Sequence, residues 1–427
     1  MTNNKNSKAY EWKLVILLTI LWGTVGLDRL AIVYLFPMIM PEFNLNNAQA
    51  GALTSVLAMT WAVSTWGLGN ISDRVGRKKI LIPATIFFSL MSWVSGIAKS
   101  YSGLMIVRGL LGIGEGGVFS TSVAAISEVS TPSKRGLNLG IHQSSFPLVG
   151  IGLGAIIATQ LTAVFGWRLV FFIVGLPSLI IAIILGIKMK ESKLSPKNSV
   201  QNNSIINTQE QTEAKSGIFE ALKYRNVKLS SLVGCFYMTW LFVFTTFAMM
   251  FLTQVRGMSL ATAGFVMSGF GFGGCVGMIL ISGLSDYFGR RTMLIISFFI
   301  NGISVLLFTF SGANAVVLFG ILFVGAIFGF GCAPIYMSLC TTESVPKHLA
   351  GSSVGIPGAV GEVFGAMIMP IIAGIVADNL GLTSTMMLAT ISPFIAAAVC
   401  FLYIETSPRV LAKRNKAENL SSLDFTN

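Results

Sequence analysis

The feature that most constrains this chain is a series of twelve apolar stretches, most of them close to 20 residues long. A helix needs about 20 residues to cross about 30 Å of hydrocarbon, whereas a barrel strand would show about ten residues of alternating polarity. The stretches lie near 14–40, 48–70, 80–98, 103–128, 136–161, 167–187, 229–254, 260–283, 293–311, 314–340, 350–377 and 384–404. The sequence therefore predicts an all-α polytopic membrane protein with twelve transmembrane helices.

The composition supports this prediction. Of 427 residues, 53% are hydrophobic and 11% are charged, while a soluble globular chain carries about a quarter charged residues. Mean hydropathy is +0.76, which excludes intrinsic disorder, collagen and a small disulfide scaffold. All five cysteines fall inside predicted spans without metal-ligand spacing, so we expect inert thiols and no metal site.

The net charge of +12 reflects topology rather than nucleic-acid binding. Of 29 Lys and Arg residues, 24 lie in the N-terminus, in alternate loops and in the C-terminal tail. Three lie on the other side (Lys99, Arg168, Arg256) and two inside spans (Arg29, Arg108). This asymmetry is typical of the positive-inside rule and predicts cytoplasmic termini in a cell membrane, inner or plasma. We expect no cleavable signal peptide before the first span.

A long polar segment and an internal repeat divide the chain into halves. The predicted units are a six-helix bundle at 1–187, a cytoplasmic linker at 188–226, a second six-helix bundle at 227–404 and a cytoplasmic tail at 405–427. Residues 69–79 read GNISDRVGRKK after the second span, and residues 283–291 read GLSDYFGRR after the eighth. Asp73 and Asp286 are 213 residues apart, about half the chain, so an internal duplication is the economical explanation.

The pattern G-x-x-S-D-R-x-G-R-K-K in the 2–3 loop, echoed in the 8–9 loop, resembles the signature loop of the major facilitator superfamily. The resemblance covers the whole chain in topology, linker and repeat. It implies two pseudo-symmetric halves that work by alternating access, with the two loops acting in gating rather than in substrate contact. We further expect a functional monomer. The loop residues to which the resemblance assigns this gating role are Gly69, Asp73, Arg74, Gly76, Arg77, Asp286 and Arg290.

Five acidic or basic residues lie well inside predicted spans: Asp28 and Arg29 in the first, Arg108 and Glu115 in the fourth, and Glu362 in the eleventh. His142 lies about two turns into the fifth span. A charge at mid-bilayer costs about 2.5–3.5 kcal/mol even on lenient scales, so such residues indicate function. Arg108 and Glu115 are seven residues apart and therefore project from one helix face. The structural alternative is an ion-pair network that only holds helices together, although buried pairs stabilise poorly compared with apolar packing.

The segments 27–29, LDR, and 108–115, RGLLGIGE, resemble the anion:cation symporter branch of the superfamily. The resemblance implies that Arg29 and Arg108 contact an organic anion and that Asp28 and Glu115 bind protons. Arginine can hold a carboxylate by two parallel hydrogen bonds. A neighbouring acid that loses its arginine to the substrate binds a proton more readily, which would couple anion uptake to protons.

Three positions depart from that branch. Phe119-Ser120 stands where many members have Phe-Pro, Thr60-Trp61 stands where a tyrosine is common, and Glu362 replaces an expected neutral or amide residue. These departures weaken the inference of a sugar acid and leave room for a less polar acid. Glu362 is either a third proton or cation site or a partner in a helix–helix hydrogen bond.

Further polar and aromatic residues are candidates for the cavity lining. Gln143 lies in the polar patch 142–145, HQSS, which either contacts substrate or satisfies neighbouring backbone. Trp61 in the second span, Tyr237 in the seventh and Tyr336 in the tenth are further candidate substrate contacts. Aromatic residues on membrane helices also serve in packing and interface belts, so this alternative stays open.

The predicted function is proton-coupled symport of a small organic anion such as a sugar acid or an aromatic acid. A drug-type proton antiporter and an organic anion exchanger are the alternatives, and a non-transporting nutrient sensor is a remote third. Two G-x-G-x-x-G runs lack the preceding strand that a dinucleotide site requires. We therefore expect no cofactor, no nucleic acid and no enzyme activity, with the anion, protons and the bilayer as partners.

Overall fold

The computed structural model describes residues 2–131, 134–191, 219–346 and 349–412, with side chains from residue 9 onward. The helices of the first part are α1 (Thr2–Phe43), α2 (Asn47–Val75), α3 (Arg77–Ile97), α4 (Tyr101–Val129), α5 (Arg135–Ser145) and α6 (Gly154–Lys188). Those of the second part are α7 (Arg225–Met250), α8 (Leu260–Phe288), α9 (Arg290–Phe310), α10 (Ala315–Pro334), α11 (Ala350–Gly361), α12 (Met369–Leu380) and α13 (Leu382–Cys400).

These helices give twelve membrane crossings. Among the described residues, ten helical stretches are long and apolar enough to cross a membrane. One of them, Arg135–Lys188, has 54 residues and contains two crossings, because Gly166 breaks the helix with φ +72°. Helix α2 is less apolar but its 29 residues extend about 43 Å, which is enough to span the bilayer. The prediction of an all-α fold with twelve transmembrane helices in two halves is confirmed.

Several spans contain π-helical turns. These turns join α5 to α6 (Phe146–Leu153), extend α7 (Phe251–Val255), extend α10 (Ile335–Leu339) and join α11 to α12 (Glu362–Ile368). A π turn is rare and is often found at functional sites, because it changes the direction in which side chains project. Glu362 is the first residue of the last of these turns.

The two halves meet most closely at one face of the bundle. We call this face, with residues 44–46 and 381, the far side, and the face with residues 76 and 289 the linker side. On the far side, the Asp378 carboxylate of α12 accepts hydrogen bonds from the backbone and side-chain nitrogens of Asn47, both at 2.8 Å. Gly51 of α2 lies so close to Pro370 that an added Cβ would overlap the proline carbonyl. The halves are therefore closed against each other on the far side.

Two of the predicted units lie largely outside the described residues. Most of the linker predicted at 188–226 falls in 192–218, and most of the tail predicted at 405–427 falls in 413–427. The chain enters α7 at Arg225, where Tyr224 precedes the helix in extended conformation. The domain boundaries themselves stay a prediction.

Candidate functional site

Helices α1 and α4 bring four ionisable residues together in the first half. Asp28 and Arg29 project from α1, and Arg108 and Glu115 from α4. All four are buried, with exposed fractions of 0%, 7%, 1% and 0% in that order. The two helices are joined here by a hydrogen bond of 2.9 Å that Arg108 Nη2 donates to the Arg29 carbonyl.

Asp28 is held by a neighbouring helix that the sequence did not single out. Ser92 of α3 donates a hydrogen bond from its hydroxyl to Asp28 Oδ1. The same hydroxyl lies 3.0 Å from the Phe171 carbonyl of α6. Ser92 therefore holds one oxygen of the Asp28 carboxyl group, while Oδ2 has no hydrogen-bond partner among the described residues.

Arg29 lies where the two halves meet. Its Nη2 is 3.7 Å from Glu362 Oε1, and its guanidinium carbon lies 5.3 Å from the ring centre of Trp61 and 5.6 Å from that of Phe242. Trp61 belongs to α2 in the first half, while Phe242 on α7 and Glu362 belong to the second. A guanidinium over an aromatic face is attracted by the ring quadrupole, so these contacts hold the charge in place.

The buried charges leave hydrogen-bonding capacity unused. Within the described part of the chain, the atoms without a hydrogen-bond partner include Arg108 Nε and Nη1, both Glu115 oxygens and Asp28 Oδ2. Nor do Asp28, Arg108 or Glu115 form ion pairs within 4.0 Å of one another among those residues. A network serving only stability would pair these groups, because unpaired buried polar groups are costly. The cluster therefore has hydrogen-bond donors and acceptors that the described residues leave unused.

A group of aromatic rings adjoins this cluster through Trp61, which lies against Arg29. Trp22 lies 4.8 Å from Phe119 and 5.3 Å from Phe146, measured between ring centres, and Trp61 lies 5.2 Å from Phe119. His142 stacks on Trp22 at 5.8 Å. Phe119 is on the same α4 surface as Glu115, one turn further along. We call Trp22, Trp61, Phe119 and Phe146 the aromatic wall.

The other predicted contact residues are distributed between the halves. Trp61 is beside Arg29, as described, and Gln143 is half-buried on α5. Tyr237 and Tyr336 lie with ring centres 5.2 Å apart in an aromatic core of the second half that also contains Trp240. Both tyrosines are at most 3% exposed. Tyr237 packs against Tyr336 and Trp240, so both tyrosines belong to the core of the second half, and the Tyr336 phenol also lies close to Glu362.

The predicted gating residues form two matching clusters on the linker side. Arg77 pairs with Asp73 and donates to Ser72 Oγ at 2.6 Å and to Glu128 Oε1 at 2.9 Å. The second copy repeats this arrangement with a different set of residues. Arg290 Nη1 is 2.6 Å from Asp286 Oδ1 and 2.6 Å from Ser285 Oγ, and its Nη2 is 2.9 Å from Glu343 Oε1.

Turn geometry explains the glycines of these loops. Gly76 and Gly289 have φ values of +112° and +97°, which residues with a Cβ rarely adopt. Gly69 approaches the Ser120 side chain of α4 closely, and Arg74 is exposed. The charged groups of each loop bond within their own half.

Several residues of these clusters were missed by sequence reasoning. Glu128, near the end of α4, pairs with Arg77, and Glu343, which follows α10, pairs with Arg290. Glu191 accepts a hydrogen bond from a backbone nitrogen at the start of α3, and Glu405 does the same at the start of α9. The sequence could have indicated these acids, because each half has two of them at the linker-side ends of its spans. Ser92 and Phe242 had no such signal.

Comparison with known proteins agrees with the fold. A family model described as the Major Facilitator Superfamily matches residues 18–363 and 229–425. The fold also matches a bacterial homologue of the human lysosomal transporter Spinster, solved inward-facing and unoccupied, with a TM-score of 0.76 at 20% identity over 92% of this chain and 96% of that one.

Curated relatives are transporters as well. The chain is 28% identical to the probable 4-methylmuconolactone transporter of Cupriavidus pinatubonensis, over 86% of this chain and 83% of that protein. It is 25% identical to the hexuronate transporter of Bacillus subtilis, over 86% and 88%. It is 23% identical to the 4-hydroxybenzoate transporter PcaK of Pseudomonas aeruginosa, over 69% and 70%.

Proposed function

Because this chain belongs to the major facilitator superfamily, and is thus a multi-pass membrane transporter and not an enzyme, we propose that it carries out proton-coupled symport of a small organic anion. The observation that carries the proposal is the pair of buried arginines, Arg29 and Arg108, joined through the Arg29 carbonyl. Arg108 keeps two nitrogens without a partner among the described residues, and these are donors for an anion. A carboxylate that reaches them would gain charge-assisted hydrogen bonds away from water.

The balance of charge supports coupling to protons. Counting Glu362, the cluster contains three acids and two arginines, so it carries one excess negative charge when all are ionised. A monovalent anion would raise that excess to two in a region of low dielectric, where unpaired charge is costly. A proton on Glu115, Asp28 or Glu362 removes this cost. Anion and proton therefore bind best together.

The aromatic wall would contact the part of the substrate that does not carry the carboxylate. Trp22, Trp61, Phe119 and Phe146 offer ring faces and edges, which pack against an apolar or aromatic skeleton. A sugar acid would instead need several polar side chains to replace its lost hydration. We therefore favour an acid with an apolar or aromatic body, with Gln143 as a contact for a polar substituent.

Transport would proceed by alternating access. The halves are closed on the far side, so the site would open toward the linker side, which we assign to the cytoplasm of a cell membrane together with both termini. The loops around Arg77 and Arg290 would act as gates by holding the linker side when the far side opens. We expect the monomer to suffice, because each crossing packs within one chain.

The experiment is uptake into proteoliposomes that contain the purified protein, with an inward proton gradient. The acids are benzoate, 4-hydroxybenzoate, cis,cis-muconate and glucuronate, each tested with and without a protonophore. We expect at least one acid, aromatic before sugar, to accumulate above its external concentration and to lose that accumulation with the protonophore. Liposomes without protein are the control.

Other outcomes would select among the alternatives. Exchange of internal for external acid without net proton movement would indicate an anion exchanger that uses the same arginines. Absence of acid transport, with proton-driven movement of lipophilic cations, would contradict the proposal and indicate a drug antiporter.

A further inference from the structure

Arg29 is the point at which a buried charge of one half meets the other half. Its guanidinium lies against Trp61 of the first half and against Phe242 and Glu362 of the second. The pair with Glu362 is buried, with side-chain exposures of 8% for Arg29 and 12% for Glu362. A carboxylate therefore already stands beside an arginine to which we assign substrate contact.

The pair is loosely held. The separation of 3.7 Å exceeds the 2.7–2.9 Å or so of a strong arginine–carboxylate hydrogen bond. Arg29 Nη2 is also among the buried atoms for which no hydrogen-bond partner is found in the described ranges. A substrate carboxylate that forms closer hydrogen bonds with Arg29 can therefore displace Glu362.

The neighbourhood of Glu362 contains few other charges that could take this role. The helices packed against its π turn are α2, α7, α11 and α12. In their described parts, the charged residues lie near the helix ends. They are Asp73 and Arg74 on α2, Arg225 and Lys228 on α7, and Asp378 on α12. The Tyr336 phenol is a further titratable group close to Glu362. The other charged residues of the cluster are Asp28, Arg108 and Glu115. The charged partner of Glu362 is thus Arg29.

We propose that Glu362 is an internal carboxylate that holds the anion position on Arg29 until the carboxylate of a substrate displaces it. The inference rests on the proposed function, because it assumes that Arg29 receives the substrate. Displacement breaks the ion pair between Arg29 of the first half and Glu362 of the second half when the substrate binds. The same event frees Glu362, now without its arginine, to take a proton. Glu362 is thus a positioning residue that makes the anion compete for its site.

The test compares anion affinity in purified full-length variants. Tryptophan fluorescence or a filter-binding assay would follow binding of benzoate, 4-hydroxybenzoate, cis,cis-muconate and glucuronate to the wild-type protein and to Glu362→Gln. Removing the competing charge should tighten binding of the preferred acid about tenfold. Glu362→Asp, which keeps the charge but withdraws it by one methylene, should fall between the two.

Glu42→Gln is the matched control. Glu42 also pairs with an arginine, Arg168, but at the exposed far-side end of α1. Its replacement should leave affinity unchanged. Because damage to the fold weakens binding, a gain in affinity confined to Glu362→Gln is not a result of misfolding.

The outcomes separate this inference from the proposed function. Unchanged or weaker binding of the acid by Glu362→Gln, with normal binding by the wild type, would overturn the inference alone. Failure of the wild type to bind any of the four acids would overturn the proposed function and the inference with it.

Discussion

The two halves of this transporter agree closely at the linker side and differ in the membrane. At the offset of 213 residues, Ser72, Asp73, Gly76 and Arg77 correspond to Ser285, Asp286, Gly289 and Arg290. Both sets make the same contacts, including an arginine bonded to a serine hydroxyl at 2.6 Å. The duplicated loops have kept their residues because each half needs the same tight turn and the same charge cluster.

At mid-membrane the same offset pairs unlike residues. Arg29 corresponds to Phe242, Arg108 to Ile321 and Glu115 to Phe328. Phe242, the counterpart of Arg29, packs on the Arg29 guanidinium itself, at 5.6 Å from ring centre to Cζ. The first half thus holds the ionic chemistry while the second supplies an apolar surface and one acid, Glu362. A duplicated fold can thus keep the same loop clusters in both copies while most of its buried charged residues lie in one copy.

The largest effect expected from this comparison comes from removing Arg108. Arg108→Ala should weaken anion binding by at least about 30-fold, because a desolvated charge contact contributes about 2–5 kcal/mol. Arg108→Lys should recover part of the loss, since it restores charge but not the planar pair of donors. Equilibrium binding of the preferred acid measures both variants.

The repeat provides the matched control for that change. Ile321→Ala removes the half-buried side chain at the corresponding position of α10. Its anion affinity should stay within a few-fold of wild type. Equal losses in the Arg108 and Ile321 variants would show that the two corresponding positions contribute equally to anion binding and would break the comparison.

A smaller effect is expected at the linker side, where the halves agree. Arg77→Ala and Arg290→Ala should each slow transport about tenfold while anion affinity stays within about twofold, because these residues contact neither the cluster nor the aromatic wall. The Arg290 side chain is 4% exposed and that of Arg77 13%. Loss of Arg290 should therefore lower Tm more, by several degrees.

Transport rates and thermal melts of both variants would check this, with Lys99→Ala on the far side as a control for lost charge. A large loss of affinity in Arg77→Ala would move that residue from the gate to the binding site.

The sequence predicted the parts of this molecule that follow from hydrophobicity, topology and short motifs. Apolar length predicted the crossings, and the rarity of charge in membranes indicated Asp28, Arg29, Arg108, Glu115 and Glu362. The spacing of 108 and 115 also predicted one helix face correctly. Such features depend on local composition, which needs no knowledge of how distant helices pack.

What the sequence could not predict depends on packing between distant segments. The hydrogen bond from Ser92 to Asp28 joins residues 64 apart, and the pair of Arg29 with Glu362 joins the two halves. Tyr237 and Tyr336 were predicted as substrate contacts by type and depth, yet they lie in an aromatic core together. Their type is as well suited to packing as to binding, and no local pattern distinguishes the two.

The central claim is that an anion and a proton bind together at the buried cluster around Arg29 and Arg108. It is tested most directly by measuring proton uptake when the preferred acid is added to purified protein in weakly buffered solution near neutral pH. The account predicts about one proton taken up per anion by the wild-type protein, and less by Glu115→Gln although that variant still binds the acid. Anion binding by the wild type without any proton uptake would contradict the account.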